Sequence, residues 1–496
     1  MPDAVAVVPP PDNVRLGFRA LMRNRNYALL WTGQLVSEMG NRFHWIAVSL
    51  WVYSLTHSAT AISLAISSMF AGSLLVSLWA GVLVDRFDRR KILIISDLVR
   101  ATLVLAIPSL IRMNVWYVYL DLTLISVATA FFRPASFAVI PTTVPRASLL
   151  TANSLFSAMD TGTEMVGPFL AGVLAEAVGY APLLYLDAAT YMFSAVCIGL
   201  MVSTPTPPAG VVGLRFKSLW EGVTEGLQYI RQDSLQWGLF KLIVPATLVG
   251  AGLNALQTPL AKGVVGLTDA QFGTFNSIWG FGFLVASLLL GWYGTILGRG
   301  VLIFAGYFLA FAATALMALS QTFQHLLLTA FAVGFSNTMY YVGLGTILME
   351  FTPSAFRGRV ISIRQLAMGL VRVASPLAFG TLAERIGVRD AILAMAMTGA
   401  IGTGAVILGS STLRELGRGK GDDPRQHLGL WRLTVGSIDP EVEETQQHRM
   451  NSMSLMLLLV LVGFLVYWWR VYAAMLLTLL AVFAYLGSRV KRRWMG

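Results

Sequence analysis

The chain has 496 residues, 56% of them apolar or aromatic and only 12% charged, with a mean hydropathy of +0.68. Soluble chains carry roughly 25% charged residues, so a water-soluble enzyme could not build its surface from this composition. The net charge of +11 sits in short breaks between apolar runs rather than on one polar domain, which removes a nucleic-acid partner and leaves an all-α integral membrane protein.

Residues 1–27 are polar and hold no apolar core followed by a small-residue cleavage site, so they read as a cytoplasmic segment ahead of a retained first helix. At roughly 20 apolar residues per crossing, the following stretch divides into twelve predicted spans. These are 28–54, 60–84, 92–112, 115–140, 148–178 and 182–203, then 236–262, 271–297, 300–319, 325–349, 359–384 and 388–411. Two six-helix bundles result, 28–203 and 236–411. The connection 204–235 opens with Thr204-Pro205-Thr206-Pro207-Pro208 and suits a cytoplasmic linker. Residues 412–451 are polar again and form a second linker. Beyond it, 452–496 holds two apolar runs, 453–469 and 471–488. Joined as one helix they would measure about 54 Å, against about 30 Å of hydrocarbon. A helical hairpin turning near Arg470 fits better than the alternative of an interfacial helix and one span.

Most of the 36 Lys and Arg fall on breaks that face the cytoplasm if the N-terminus does. The breaks on the other side hold Arg112, Lys262, Arg385, Arg389 and Arg470. The positive-inside rule therefore places both termini in the cytoplasm, in a multi-pass cell membrane protein. Cys197 has no partner for a disulfide and reads as a packing residue.

An internal repeat supports two related halves. Residues 167–179, Gly-Pro-Phe-Leu-Ala-Gly-Val-Leu-Ala-Glu-Ala-Val-Gly, align with 375–387 at an offset of 208. Pro168, Gly172, Leu174, Ala175, Glu176 and Gly179 recur as Pro376, Gly380, Leu382, Ala383, Glu384 and Gly387, where composition alone would give roughly one match. Duplicated halves allow a transporter to place one site at a pseudo-symmetric midplane.

The break between the second and third spans reads Gly81-Val82-Leu83-Val84-Asp85-Arg86-Phe87-Asp88-Arg89-Arg90-Lys91. It resembles the hallmark Gly-x-Leu-x-Asp-Arg-x-Gly-Arg-Arg/Lys of the major facilitator superfamily, with Asp88 where that family usually has glycine. The resemblance implies a gating role for Gly81, Asp85, Arg86, Arg89 and Arg90, with Asp85 set against the eleventh helix at the cytoplasmic interface of the halves. Gly162, Gly167, Pro168 and Gly172 in the fifth helix are similar to the glycine-proline signature of proton-coupled antiporters. Small residues permit close helix approach and proline bends a helix, so these four, with Pro376 and Gly380 at the repeat positions, are expected to pack helices. The stretches 26–35, 131–135 and 152–155 are similar to the macrolide-efflux and siderophore-exporter branch. Resemblance covers residues 24–411.

Ions at lipid depth carry the mechanism, because each costs a few kcal/mol unless it is paired or faces a cavity. Glu38 and Arg42 lie four apart in the first helix and either neutralise each other or serve transport. Asp160 and Glu164 lie four apart in the fifth; two close carboxylates cannot both ionise cheaply in low dielectric, which suits a proton carrier, while neighbouring hydroxyls are the alternative. Glu164 maps by the repeat onto Arg372, which shares a face of the eleventh helix with Arg364. An acidic and a basic stripe are thus expected to face one water-filled cavity. Arg133 resembles the buried arginine that the family keeps near its proton carrier, with structural pairing to a carbonyl as the alternative. Trp31, Trp45, Trp51, Phe131, Phe132, Tyr340 and Tyr341 are candidate cavity aromatics for amphipathic or aromatic cargo, and His44 reads as a polar-network residue.

No Gly-x-x-x-x-Gly-Lys-Ser/Thr loop and no cluster with metal-ligand or nucleophile spacing occurs. The expectation is a secondary transporter without cofactor or metal, not an enzyme. It would exchange protons for an amphipathic or cationic organic molecule, in contact with membrane lipid and without nucleic acid. Lipid or lysolipid flipping, siderophore export, and a membrane sensor or scaffold built on the C-terminal hairpin are the alternatives.

Overall fold

The structure, a computed structural model, describes residues 17–202, 216–293 and 299–417, all helix and connection without a strand. Met1–Leu290 and Leu302–Leu413 form one compact unit, and the architecture below concerns its described residues. The C-terminal hairpin and most of the second linker lie outside the described residues.

A short α1 (Phe18–Arg23) leads into α2 (Arg25–Thr56), α3 (Ala59–Arg86), α4 (Arg89–Met113), α5 (Val115–Thr143), α6 (Leu149–Val178) and α7 (Tyr180–Gly199). Next come α8 (Phe216–Gln232), α9 (Ser234–Thr258) with a π turn Pro259–Val264, α10 (Asp269–Tyr293), α11 (Arg299–Ala318), α12 (Phe323–Glu350), α13 (Ser354–Ile386), α14 (Val388–Leu408) and α15 (Ser411–Gly417). Twelve of these are long. Ten are long and apolar enough to cross a membrane. The other two, α2 and α6, have 32 and 30 residues, so polar and charged side chains, not length, set them apart, among them Glu38, Asn41, Arg42 and His44 in α2 and Asp160 and Glu164 in α6.

Side-chain caps start the helices where the sequence places short polar residues. Asn24 accepts from Tyr27 N–H, Ser58 from Ala61, Asn114 from Trp116, and Asp233 from Leu235 and Gln236. Gly179 and Gly387, equivalent in the repeat, end α6 and α13 at φ +82 and +92. Only glycine adopts that backbone without strain. The repeat therefore copies a helix together with its stop signal.

Large apolar side chains also lie on the outside, among them Trp116 at 64% and Ile401 at 71% exposure. Water would penalise such a surface and lipid would not. One feature differs from expectation: the linker is not all loop. Helix α8 lies within it, and Val223, Leu227 and Ile230 sit at helical spacing against Val360 and Ile363 of α13. Tyr229 stacks on Phe356 at 4.6 Å, and Glu225 pairs with Arg359 at 2.9 Å. Mixed charges around this stripe mask the amphipathic pattern in a reading for membrane spans.

Candidate functional site

A cavity of about 980 Å³ lies between the first six long helices and the last six. Pro168 on α6 and Trp45 on α2 mark its lining nearest one end, while Ile140 on α5 and Asn153 on α6 bring it within one turn of the connection between those helices. That end also carries the linker.

Ions meet across the cavity. Glu38 and Arg42 come from α2, Arg133 from α5, Asp160 and Glu164 from α6, and Arg364 and Arg372 from α13. Asp160 lies within electrostatic reach of Glu38, Arg133, Arg42 and Glu164. Arg372 is likewise in the field of Arg133 and Arg364, and its guanidinium lies 5.6 Å from the Phe70 ring. Arg364 is 3.5 Å from the Tyr341 hydroxyl. Among the described residues no ion pair joins Glu38 to Arg42, and the Arg42 Nε is buried without a partner. Asp160, Glu164, Arg133 and Arg372 are all exposed although they lie in helix interiors. Solvent reaches them through the cavity, which resolves the cost of ions at that depth.

Aromatic expectations divide. Trp45, Phe132, Tyr340 and Tyr341 line the cavity; Trp31, Trp51 and Phe131 do not. Trp31 packs into the core of the first bundle and approaches the Leu155 carbonyl at 3.4 Å. Trp51 meets Tyr180 near the opposite end of α2, at 6.1 Å between centroids. Phe131 is one helical step, about 100°, from Phe132, enough to take it off the wall.

Beyond Pro168 the two bundles touch. Glu176, at the end of α6, accepts the Ala270 N–H at the start of α10 (2.8 Å). Its repeat equivalent Glu384, at the end of α13, accepts the Thr60 N–H of α3 (3.2 Å) and the Ser58 hydroxyl (2.5 Å). Each carboxylate thus takes the N–H of the second residue of a helix in the other bundle, at its positive end. Both crossings need glycine. A Cβ on Gly172 would lie 2.7 Å from the Gly273 Cα, and one on Gly380 would strike Ser63. Gly167 instead seats the stem of Arg42, whose Cβ lies 2.6 Å from where its own would be. Pro168 and Pro376 are buried. Open space surrounds Gly162 and Gly81, so no helix approach depends on either here.

The model of the Major Facilitator Superfamily matches residues 30–264 and again 247–488. The chain belongs to that superfamily. Macrolide efflux protein A of Streptococcus pyogenes is 27% identical over 367 residues, covering 72% of this chain and 89% of the relative. Among solved structures, a variant of the nucleoside transporter NupG superposes with TM-score 0.64 at 12% identity, covering 77% of this chain and 99% of NupG. A bacterial homologue of the human lysosomal transporter Spinster, in an inward-facing and unoccupied conformation, gives 0.63 at 14%, covering 79% and 98%. The protein is a multi-pass membrane transporter of that superfamily, acting on small organic substrates, and not an enzyme.

The superfamily's hallmark loop takes on local work in this chain. Asp88, which replaces the usual glycine, caps α4 by accepting the Arg90 N–H at 2.9 Å. Arg89 donates to the Ala138 carbonyl of α5 (3.1 Å) and Arg90 to the Ile198 (3.0 Å) and Gly199 carbonyls of α7. Arg86 is exposed. The Asp85 side chain, expected against the eleventh helix, lies outside the described residues.

Three groups of site residues were missed by the sequence reading. Asn41, Asn254, Asn276 and Asn337 place amides on the cavity wall, and Trp279 and Phe283 of α10 supply rings opposite Phe132. Arg100, buried to 2% exposure, reaches the cavity edge. Amides and rings in apolar runs give no charge signal, but Asp97, Arg100, Asp121 and Asp187 stand in predicted spans as visibly as Asp160 does.

Proposed function

We propose that this transporter exports amphipathic or cationic organic molecules in exchange for protons, by alternating access, from a bacterial cell membrane with both termini cytoplasmic. The observation that supports this reading most is the group of three unpaired carboxylates, Glu38, Asp160 and Glu164, facing unpaired arginines across one solvated cavity. A cavity of about 980 Å³ suits a drug-sized molecule, since ligand pockets span roughly 300–1,000 Å³. Trp45, Phe132, Trp279 and Tyr340 provide apolar and cation–π contact.

Coupling follows from charge. With its carboxylates ionised, the acidic wall offsets most of the arginine charge and accepts a cation or the dipole of an amphiphile. Protons taken up by Asp160 and Glu164 add two positive charges to a cavity whose unpaired arginines already outnumber its carboxylates by one, and a cation is expelled. The positive-inside pattern assigns the linker end to the cytoplasm, so the cavity faces inward and the Glu176 and Glu384 contacts close the outside.

The test is counterflow in proteoliposomes holding the full chain, with an imposed proton gradient and a panel of amphipathic cations and macrolides. A substrate that dissipates the gradient with wild-type protein and fails to do so with Asp160→Asn supports the reading. Export that proceeds equally with the gradient collapsed would overturn it. Phospholipid analogues in the same vesicles distinguish the flippase reading, which Arg364 and Arg372 favour by offering an anionic headgroup a partner.

A further inference from the structure

The first bundle buries a second set of ions, touching the cavity only through Arg100, that the exchange above leaves unused. His44 of α2, Asp97 and Arg100 of α4, Asp121 of α5 and Asp187 of α7 are 8, 0, 2, 4 and 0% exposed. Arg100 pairs with Asp97, and its guanidinium lies 4.1 Å from the Phe132 ring and 4.4 Å from that of Tyr191. His44 Nδ1 lies 3.3 Å from an Asp187 carboxyl oxygen, and the Thr190 hydroxyl is 3.4 Å from the other. Gly40 permits this approach, because a Cβ there would strike both Thr190 and Asp187. One oxygen each of Asp97, Asp121 and Asp187 has no hydrogen-bond partner.

Three carboxylates with one guanidinium carry two net negative charges when His44 is neutral. Among the described residues no other ion offsets them. Between its ends α3, which also packs on α2, carries none from Ala59 to Val84; Glu38 and Arg42 of α2 and Asp160 and Glu164 of α6 face the cavity. Uncompensated charge inside a helical bundle costs several kcal/mol per ion, and two protons remove it. One belongs on His44, against Asp187. The other belongs on Asp121, which alone of the three carboxylates has no guanidinium or imidazole paired with it and keeps an unpartnered oxygen.

We infer that His44, Asp187 and Asp121 form a second proton-binding site, joined to the transport cavity through Arg100. Of the five ions only Arg100 also lines the cavity. A neutral Asn41, on the same stretch of α2, lines it too and accepts the Tyr191 hydroxyl. Release of a proton from His44 would free Asp187 to compete for Arg100 and so alter the field at the cavity edge. The site's existence does not depend on the export reading, since it rests on buried charge alone.

Infrared titration of the purified full chain in detergent tests it directly. The expected result is a deuterium-sensitive carboxylic-acid C=O band at neutral pH that survives in the Asp160→Asn/Glu164→Gln double variant and disappears in Asp121→Asn. His44→Gln should lower the number of protons held at neutral pH by about one per chain. A double variant that retains no protonated carboxyl at neutral pH would overturn the inference without any substitution in the cluster itself. So would His44→Gln protein that holds as many protons at neutral pH as the wild type.

Discussion

Arg372 tests the field across the cavity at the scale of one side chain. Its repeat partner is Glu164, so symmetry-related positions carry opposite charge on facing walls. Arg372→Gln removes one positive charge from a site that holds protons and cargo. The proton-holding carboxylates should then release their protons less readily, and the pH profile of transport should move alkaline. Flux indistinguishable from wild type at every pH and for every substrate would show that the basic wall is inert. Gly167 offers a steric counterpart. Gly167→Val drives a side chain into the stem of Arg42, and overpacking of this kind costs about 1–3 kcal/mol, read as a lowered melting temperature in detergent. Such residues were legible when a charge stood out against lipid or a glycine recurred. Ring placement was not, because neighbours such as Phe131 and Phe132 differ only in which way a helix turns them. The Asp97, Arg100 and Asp187 set was visible as charge, but its closure into one network requires α4 and α7 to be seen side by side.

Helix ends decide which side of the transporter is shut. Glu176 and Glu384 each bind the N-terminus of a helix in the other bundle, and the Tyr180 and Thr60 hydroxyls, donating to Asp269 and to the Gly380 carbonyl, bridge the halves beside them. Removing the charge with Glu176→Gln or Glu384→Gln should raise the outward-open fraction by about two- to fivefold for each contact, and the double variant should compound the two. Alkylation from outside of a cysteine introduced at Asn254 reads this fraction; equal labelling in wild type and double variant would show that the contacts do not hold the gate. Gly380→Leu acts on the same crossing through bulk, and should favour the outward-open form even with both carboxylates present. At this scale the sequence was most informative. Twelve apolar runs, their polar breaks and the repeated glycine-terminated segment all have direct counterparts, whereas α8 was hidden because its single apolar stripe is too narrow to register as a span.

Taken as a whole molecule, the arrangement predicts a one-sided pattern of water access. In the conformation described, Asn153 and Leu344 lie on the cavity wall toward the linker end. Cysteines placed there, in a Cys197→Ala background, should react with a membrane-impermeant thiol reagent applied at the cytoplasmic face and resist it from the other side. Reaction from both faces at once would mean a pore, and from neither would mean that the cavity is sealed.

The opposed walls also bear on energetics beyond pH. Under the proposed exchange, a monovalent cation leaving as one proton enters moves no net charge, so transmembrane voltage neither aids nor hinders it. A neutral macrocycle leaving against the same proton draws on voltage as well, worth about 2.3 kcal/mol for every 100 mV. One set of carboxylates would then deplete the cell of neutral and cationic compounds to different limits, and a potassium-clamped vesicle would separate the two classes.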